Sequence, residues 1–120
     1  MVLVVDDHQH FRETAVKLLT FLGHSALEAS DEREAEEALG RHANQIDLVL
    51  LDMFLGASDG LTLAGRLEAA RPGLRVLFMS GYGEAALSSP ELAGPRRHYI
   101  EKPFSLATLK TALTELLARP

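Results

Sequence analysis

Residues 48–53 read Leu-Val-Leu-Leu-Asp-Met, four consecutive apolar positions followed by an acidic one. An apolar run without alternation suits a strand covered on both faces, as in parallel sheets flanked by helices. Working outward, the same form recurs at Val2-Leu3-Val4-Val5, followed by Asp6 and Asp7, and at Val76-Leu77-Phe78-Met79, followed by Ser80. A weaker run, Ala26-Leu27-Glu28-Ala29, and the pair Tyr99-Ile100 complete a set of five predicted strands, with Lys102 just past the last.

Between these runs the apolar period changes from strand to helix. Phe11, Ala15, Leu18, Leu19 and Leu22 recur at helical spacing, and Asp31 with Glu34 forms a capping-box start for a helix carrying Ala35, Ala38 and Leu39 on one side. Leu61, Ala64 and Leu67 make a third stripe. Ser105 caps a last helix with Leu106, Leu109, Leu113, Leu116 and Leu117 along one face. In 83–97 Pro90, Gly94 and Pro95 interrupt whatever helix 84–87 begins, so a short or irregular fourth helix is expected there. Strict alternation of strand and helix implies right-handed crossovers and a doubly wound sheet, whose ligands bind beyond the carboxyl ends of the strands.

Composition bounds the function. The chain has 120 residues, the size of one ordinary domain, and its 47% apolar and 24% charged content is that of a soluble globular protein. A net charge of −5 argues against direct nucleic-acid binding, which draws on clustered Lys and Arg, and directs attention to protein partners. With no cysteine, a disulfide framework and a Cys-based zinc site are excluded, which suits a cytoplasmic location. No stretch approaches the roughly 18 apolar residues of a membrane span. A longer parent chain with a membrane anchor remains compatible with this reading.

The residues at the strand ends carry the chemistry. Asp6, Asp7, Asp52, Ser80 and Lys102 would all sit on one edge of the sheet. Unit charges about 4 Å apart repel by roughly 4 kcal/mol at an effective dielectric of about 20, so three converging carboxylates call for a cation. Oxygen donors alone favour a hard ion such as Mg2+, which uses one or two carboxylates and retains waters. Lys102 supplies a mobile positive charge for an anion at the same place. Taken singly, acidic residues at such positions commonly begin loops or cap helices. Five polar groups at matching strand ends point instead to a site.

These residues resemble the receiver domains of response regulators in two-component signalling. The landmarks are the acidic pair in Val4-Val5-Asp6-Asp7, the acceptor in Leu51-Asp52-Met53, and Asp59-Gly60 at the start of the third helix. They continue with Met79-Ser80-Gly81, the aromatic Tyr99, and Lys102-Pro103-Phe104. The resemblance covers essentially the whole chain, 1–120, as a single domain. It implies a flavodoxin-like (βα)5 fold, a doubly wound parallel sheet with strand order 2-1-3-4-5 and helices on both faces. It also implies that Asp52 takes a phosphoryl group from a phosphohistidine of a histidine kinase or phosphotransfer protein. Asp7 would bind Mg2+ directly, Asp6 would hold one of its waters, and the backbone carbonyl of Phe54 would complete the protein ligands. Lys102 would pair with the phosphoryl oxygens, and the Lys102-Pro103 bond is expected to be cis. Ser80 and Tyr99 would be the switch pair, acting on the face of the fourth helix, fifth strand and last helix. That face would meet an output domain or protein, and is a candidate for phosphorylation-dependent homodimerisation. On this resemblance the isolated domain is no enzyme beyond accepting and losing its own phosphoryl group.

The sequence departs from the family pattern in places. Gly56 replaces the usual proline after the acceptor, Gly81 replaces a common alanine, and Phe54 and Tyr82 are bulky where side chains influence access of water to the acyl phosphate. The stretches 77–82 and 101–105 resemble receivers appended to hybrid sensor histidine kinases. A haloacid-dehalogenase-type phosphatase would need an acidic residue two positions after Asp52, where Phe54 stands. A receiver-like docking module without phosphorylation is the other alternative, although degenerate receivers usually lose an acidic residue or the lysine, and none is missing. The segment 10–14 has a faint likeness to a phosphohistidine box but lacks its proline. His8, His10, His24, His42 and His98 are expected to be solvated rather than to bind metal.

Overall fold

The computed structural model describes residues 1–56, 58–81 and 94–119. Five parallel strands, β1 (Val2–Val5), β2 (Ala26–Ala29), β3 (Leu48–Asp52), β4 (Arg75–Ser80) and β5 (Arg97–Glu101), form one sheet in the order β2-β1-β3-β4-β5. This is the flavodoxin-like order expected from the resemblance. The fifth strand starts at Arg97, two residues before the apolar pair that marks it in the sequence. The expected fourth helix and Tyr82 fall largely or wholly in 82–93 and lie outside the described residues.

The unbroken apolar runs are divided by the pleat between two cores. Leu3, Val5, Val49, Leu51, Val76 and Phe78 point to one face, where they meet helices α2 (Glu32–His42) and α3 (Gly60–Ala70). Val2, Val4, Leu48, Leu50, Leu77 and Met79 point to the other, against α1 (Gln9–Phe21) and α4 (Leu106–Ala118). Each fully buried Leu or Val of this kind contributes about 1.5–3 kcal/mol. The helical stripes supply the opposing surfaces: Ala15 and Leu19 from α1, Ala35 and Leu39 from α2, and Leu109, Leu113 and Leu116 from α4 are buried. On α3 the buried set is Gly60, Leu63, Ala64 and Leu67, while Leu61 is only partly covered.

Caps fix where the helices begin. Asp31 accepts from the Glu34 N–H at 2.8 Å, and Glu34 accepts in return from the N–H of Ser30 at 2.7 Å, one residue before the cap. Asp59 accepts from the Leu61 N–H at 2.9 Å, and Ser105 from the Thr108 N–H at 3.1 Å. Such caps contribute about 1 kcal/mol each. A short antiparallel ladder, Phe54–Leu55 against Ser58–Asp59, leads from β3 to α3. Gly56 at its turn has φ of +60°, a conformation closed to the usual proline, whose ring holds φ near −65°.

Candidate functional site

Three backbone hydrogen bonds carry the ladders one residue past the strands and anchor the site. The Asp6 N–H donates to the Ala29 carbonyl (3.1 Å), the Met53 N–H to that of Met79 (2.9 Å), and the Lys102 N–H to that of Ser80 (2.6 Å). Asp6 from β1 and Asp52 at the end of β3 are thereby neighbours, because those strands are paired in register through Val5 and Leu51. Lys102 approaches from beyond β5, and its ammonium donates to Asp6 Oδ2 at 2.7 Å and to Asp52 Oδ2 at 3.0 Å. The Lys102–Pro103 peptide bond is cis. Asp52 Oδ1 accepts from the Phe54 N–H at 3.1 Å.

Asp6 is fully buried and Asp52 is 5% exposed, so these charges are poorly screened. Burial pushes the Asp52 carboxyl above its ordinary range, outweighing the hydrogen bonds from the Phe54 N–H and Lys102, while the Asp6 charge pushes the same way. For Lys102, burial alone would lower the pKa, but the hydrogen bonds to Asp6 and Asp52 together hold the ammonium above its ordinary value.

The donor set fits a hard divalent cation. Asp6, Asp7, His8 and Asp52 each offer one ligand atom, all within 4.8 Å of one another. Three carboxylates against the single ammonium of Lys102 leave two negative charges uncompensated at the mouth of the site. Oxygen donors of this kind suit Mg2+. His8 is the member that sequence reasoning set aside as solvated. Its ring is largely exposed, yet Nδ1 lies 3.3 Å from Asp6 Oδ1 and 3.1 Å from Asp7 Oδ1. Its position directly after the acidic pair was the available signal.

Ser80 ends β4 beside this cluster and is 1% exposed, and its Oγ has no hydrogen-bond partner among the described residues. A buried hydroxyl is normally paired, so Ser80 stands out among the polar groups at the edge of this site. Tyr99, on the edge strand β5, is half-buried and packs against the core on the α2 and α3 face. Phe54 projects outward beside the site and is 55% exposed. Gly60 is required by close approach: a Cβ there would lie 2.6 Å from the Asp52 carbonyl oxygen and 2.8 Å from Met53 Cα. The site thus brings together Asp6, Asp7, Asp52 and Lys102, with Ser80 at the adjoining strand end.

Comparison with known proteins agrees with this geometry. The family model for the response regulator receiver domain matches residues 2–114. The chain is 32% identical over 118 residues to the sensor kinase CckA of Brucella abortus (strain 2308), covering 98% of this chain and 12% of that protein. It is 30% identical to the response regulator MprA of Mycolicibacterium vanbaalenii, covering 98% of this chain and 50% of that one. The chain therefore spans half or less of these relatives. Among solved structures, the receiver domain of NtrX from Brucella abortus superposes with a TM-score of 0.85 at 34% identity, covering 98% of both chains. With the doubly wound sheet, the acidic cluster and the facing lysine, these matches establish that the chain belongs to the response regulator receiver domain family, the phosphoacceptor switches of two-component signalling.

Proposed function

We propose that Asp52 is the phosphoacceptor and that the whole chain, 1–120, works as one receiver unit. The observation that carries this reading is the Lys102 ammonium bridging Asp52 and Asp6, 3.0 and 2.7 Å away, at a strand-end cluster with surplus negative charge. An Asp52 carboxylate oxygen attacks the phosphorus of a phosphohistidine. The P–N bond breaks, and its electron pair and a proton end on the imidazole of the partner kinase or phosphotransfer protein. Lys102 follows the phosphoryl oxygens and offsets the charge that gathers on them. Asp6, Asp7, Asp52 and the Phe54 backbone carbonyl would hold Mg2+, which when bound supplies further positive charge against those oxygens.

In the phosphorylated chain, the Ser80 hydroxyl donates to a phosphoryl oxygen and Tyr99 turns into the space this opens, altering the face around β5 and α4. New charge-assisted hydrogen bonds bias a two-state element in this way. An output domain or protein reads that face, and a second copy of the chain is a further candidate partner there. No helix among the described residues is long and apolar enough to cross a membrane. We place the chain in the cytoplasm, in reach of a kinase that is soluble, membrane-anchored or part of the same polypeptide.

The test is intact mass after incubation with acetyl phosphate and Mg2+, beside an Asp52→Asn variant and an EDTA control. One added phosphoryl group that requires both Mg2+ and Asp52 is expected. No addition to a folded chain under any phosphodonor would overturn the assignment and favour a docking module.

A further inference from the structure

Lys102 has a neighbour of another kind. Its Nζ lies 4.3 Å from the centroid of the Phe11 ring, well inside the ~6 Å range of a cation–π contact. Phe11 is itself held: Phe104 meets it edge-on, with centroids 5.5 Å apart and planes at 86°. Phe104 follows Lys102 and Pro103 in the same loop, so the loop that carries the ammonium also orients the ring beneath it. Arg12, next on α1, fixes the helix to the site by donating to the Asp6 carbonyl oxygen at 2.8 Å and to Glu28 at 2.9 Å.

We infer that Phe11 is a positioning residue for Lys102, its ring acting as a neutral platform that holds the ammonium over the Asp52 carboxylate. The inference rests on the proposed role of Asp52 and Lys102. Its physical basis is that the ion pairs of Nζ among the described residues, to Asp6 and Asp52, are to the groups that would take up a metal and a phosphoryl group. The ring is a contact that neither event consumes. It keeps the ammonium from following either carboxylate away, and because the ring is uncharged it does so without competing for the phosphoryl oxygens. An aliphatic side chain of equal volume would fill the same space beside α4 but offers no negative π-face to a cation.

Two substitutions separate positioning from packing. Phe11→Met keeps most of the apolar volume and loses the ring, whereas Phe11→Tyr keeps the ring. Acceptance from acetyl phosphate under saturating donor and Mg2+ is expected to slow about tenfold in Phe11→Met and to stay within about twofold of the parent in Phe11→Tyr. In two-dimensional 1H–13C spectra, the Lys102 ε-methylene protons should be shifted upfield by the ring current in the parent chain and in Phe11→Tyr, and return to an ordinary position in Phe11→Met. Equal rates in Phe11→Met and the parent, or equal slowing in both variants, would overturn the inference. So would unshifted ε-methylene protons in the parent chain. A parent chain that takes no phosphoryl group would defeat the assignment of Asp52 instead, and the spectra would still decide whether Phe11 holds Lys102.

Discussion

Replacing Ser80 by alanine should stabilise the chain before phosphorylation and weaken it as a switch. The hydroxyl is buried and has no partner among the described residues, which costs about 1–3 kcal/mol relative to solvation. Its removal leaves only an oxygen-sized gap, and at about 24 cal/mol per Å3 that returns less than ~0.5 kcal/mol. A net gain of about 1 kcal/mol follows. With a urea m-value of ~2 kcal/mol/M, the unfolding midpoint should rise by about 0.5 M. After phosphorylation the same hydroxyl, on the proposed assignment, donates to a charged oxygen, a bond of about 1.5–3 kcal/mol that alanine forfeits. The two effects add in the balance between the resting and switched arrangements, to about 3 kcal/mol, which is over a hundredfold. The assay is paired urea unfolding of both proteins, with and without phosphorylation by acetyl phosphate and Mg2+. A lower midpoint for the unphosphorylated variant would refute the reasoning, because it would mean the hydroxyl is already satisfied.

Gly60→Ala should lose about 3 kcal/mol, since the added Cβ would meet the backbone of Asp52 and Met53, which cannot swing aside. Gly65→Ala, in the same helix with nothing within 4 Å of its added Cβ, should instead gain up to ~1 kcal/mol in the same denaturation assay. Asp52→Asn should raise the melting temperature at pH 7. The folded chain binds the Asp52 proton more tightly than the unfolded one, so this residue's contribution is intact at low pH and falls as pH rises from about 4 through the raised value. The advantage of the variant should therefore vanish near pH 3, and an advantage independent of pH would count against burial as the cause. Mg2+ at a hundred times its Kd should stabilise the parent by about 2.7 kcal/mol and Asp7→Asn by much less, as read by thermal unfolding against EDTA. On the proposed role of Asp52, Phe54→Ala should shorten the lifetime of the phosphorylated form, because the side chain stands exposed next to that residue, and an unchanged lifetime followed by mass spectrometry would remove that role.

The alternation of strands with helices and the polar character of the site edge were legible along the chain. Local rules were sufficient for that: unbroken apolar runs mark strands covered on both faces, and the change to helical spacing marks what covers them. Asp31, Asp59 and Ser105 cap helices through bonds to residues two or three positions away, so these starts too were open to local reading. On α3 the sequence stripe shares Ala64 and Leu67 with the buried face but takes Leu61 where the structure buries Leu63, because both leucines fit a helical period with Leu67. The Phe54–Leu55 and Ser58–Asp59 ladder carries no apolar period at all.

Tertiary structure decided which of these groups meet. Asp6 and Asp52 lie 46 residues apart and become neighbours only because β3 pairs with β1, and Lys102 reaches both from beyond β5. The raised pKa of Asp52, the orphaned hydroxyl of Ser80, the approach of His8 to the carboxylates and the Phe11 ring under Lys102 have the same origin. Desolvation and pairing depend on what surrounds an atom in space, and those surroundings are set by the order of strands and the packing of helices on them, not by neighbours along the chain.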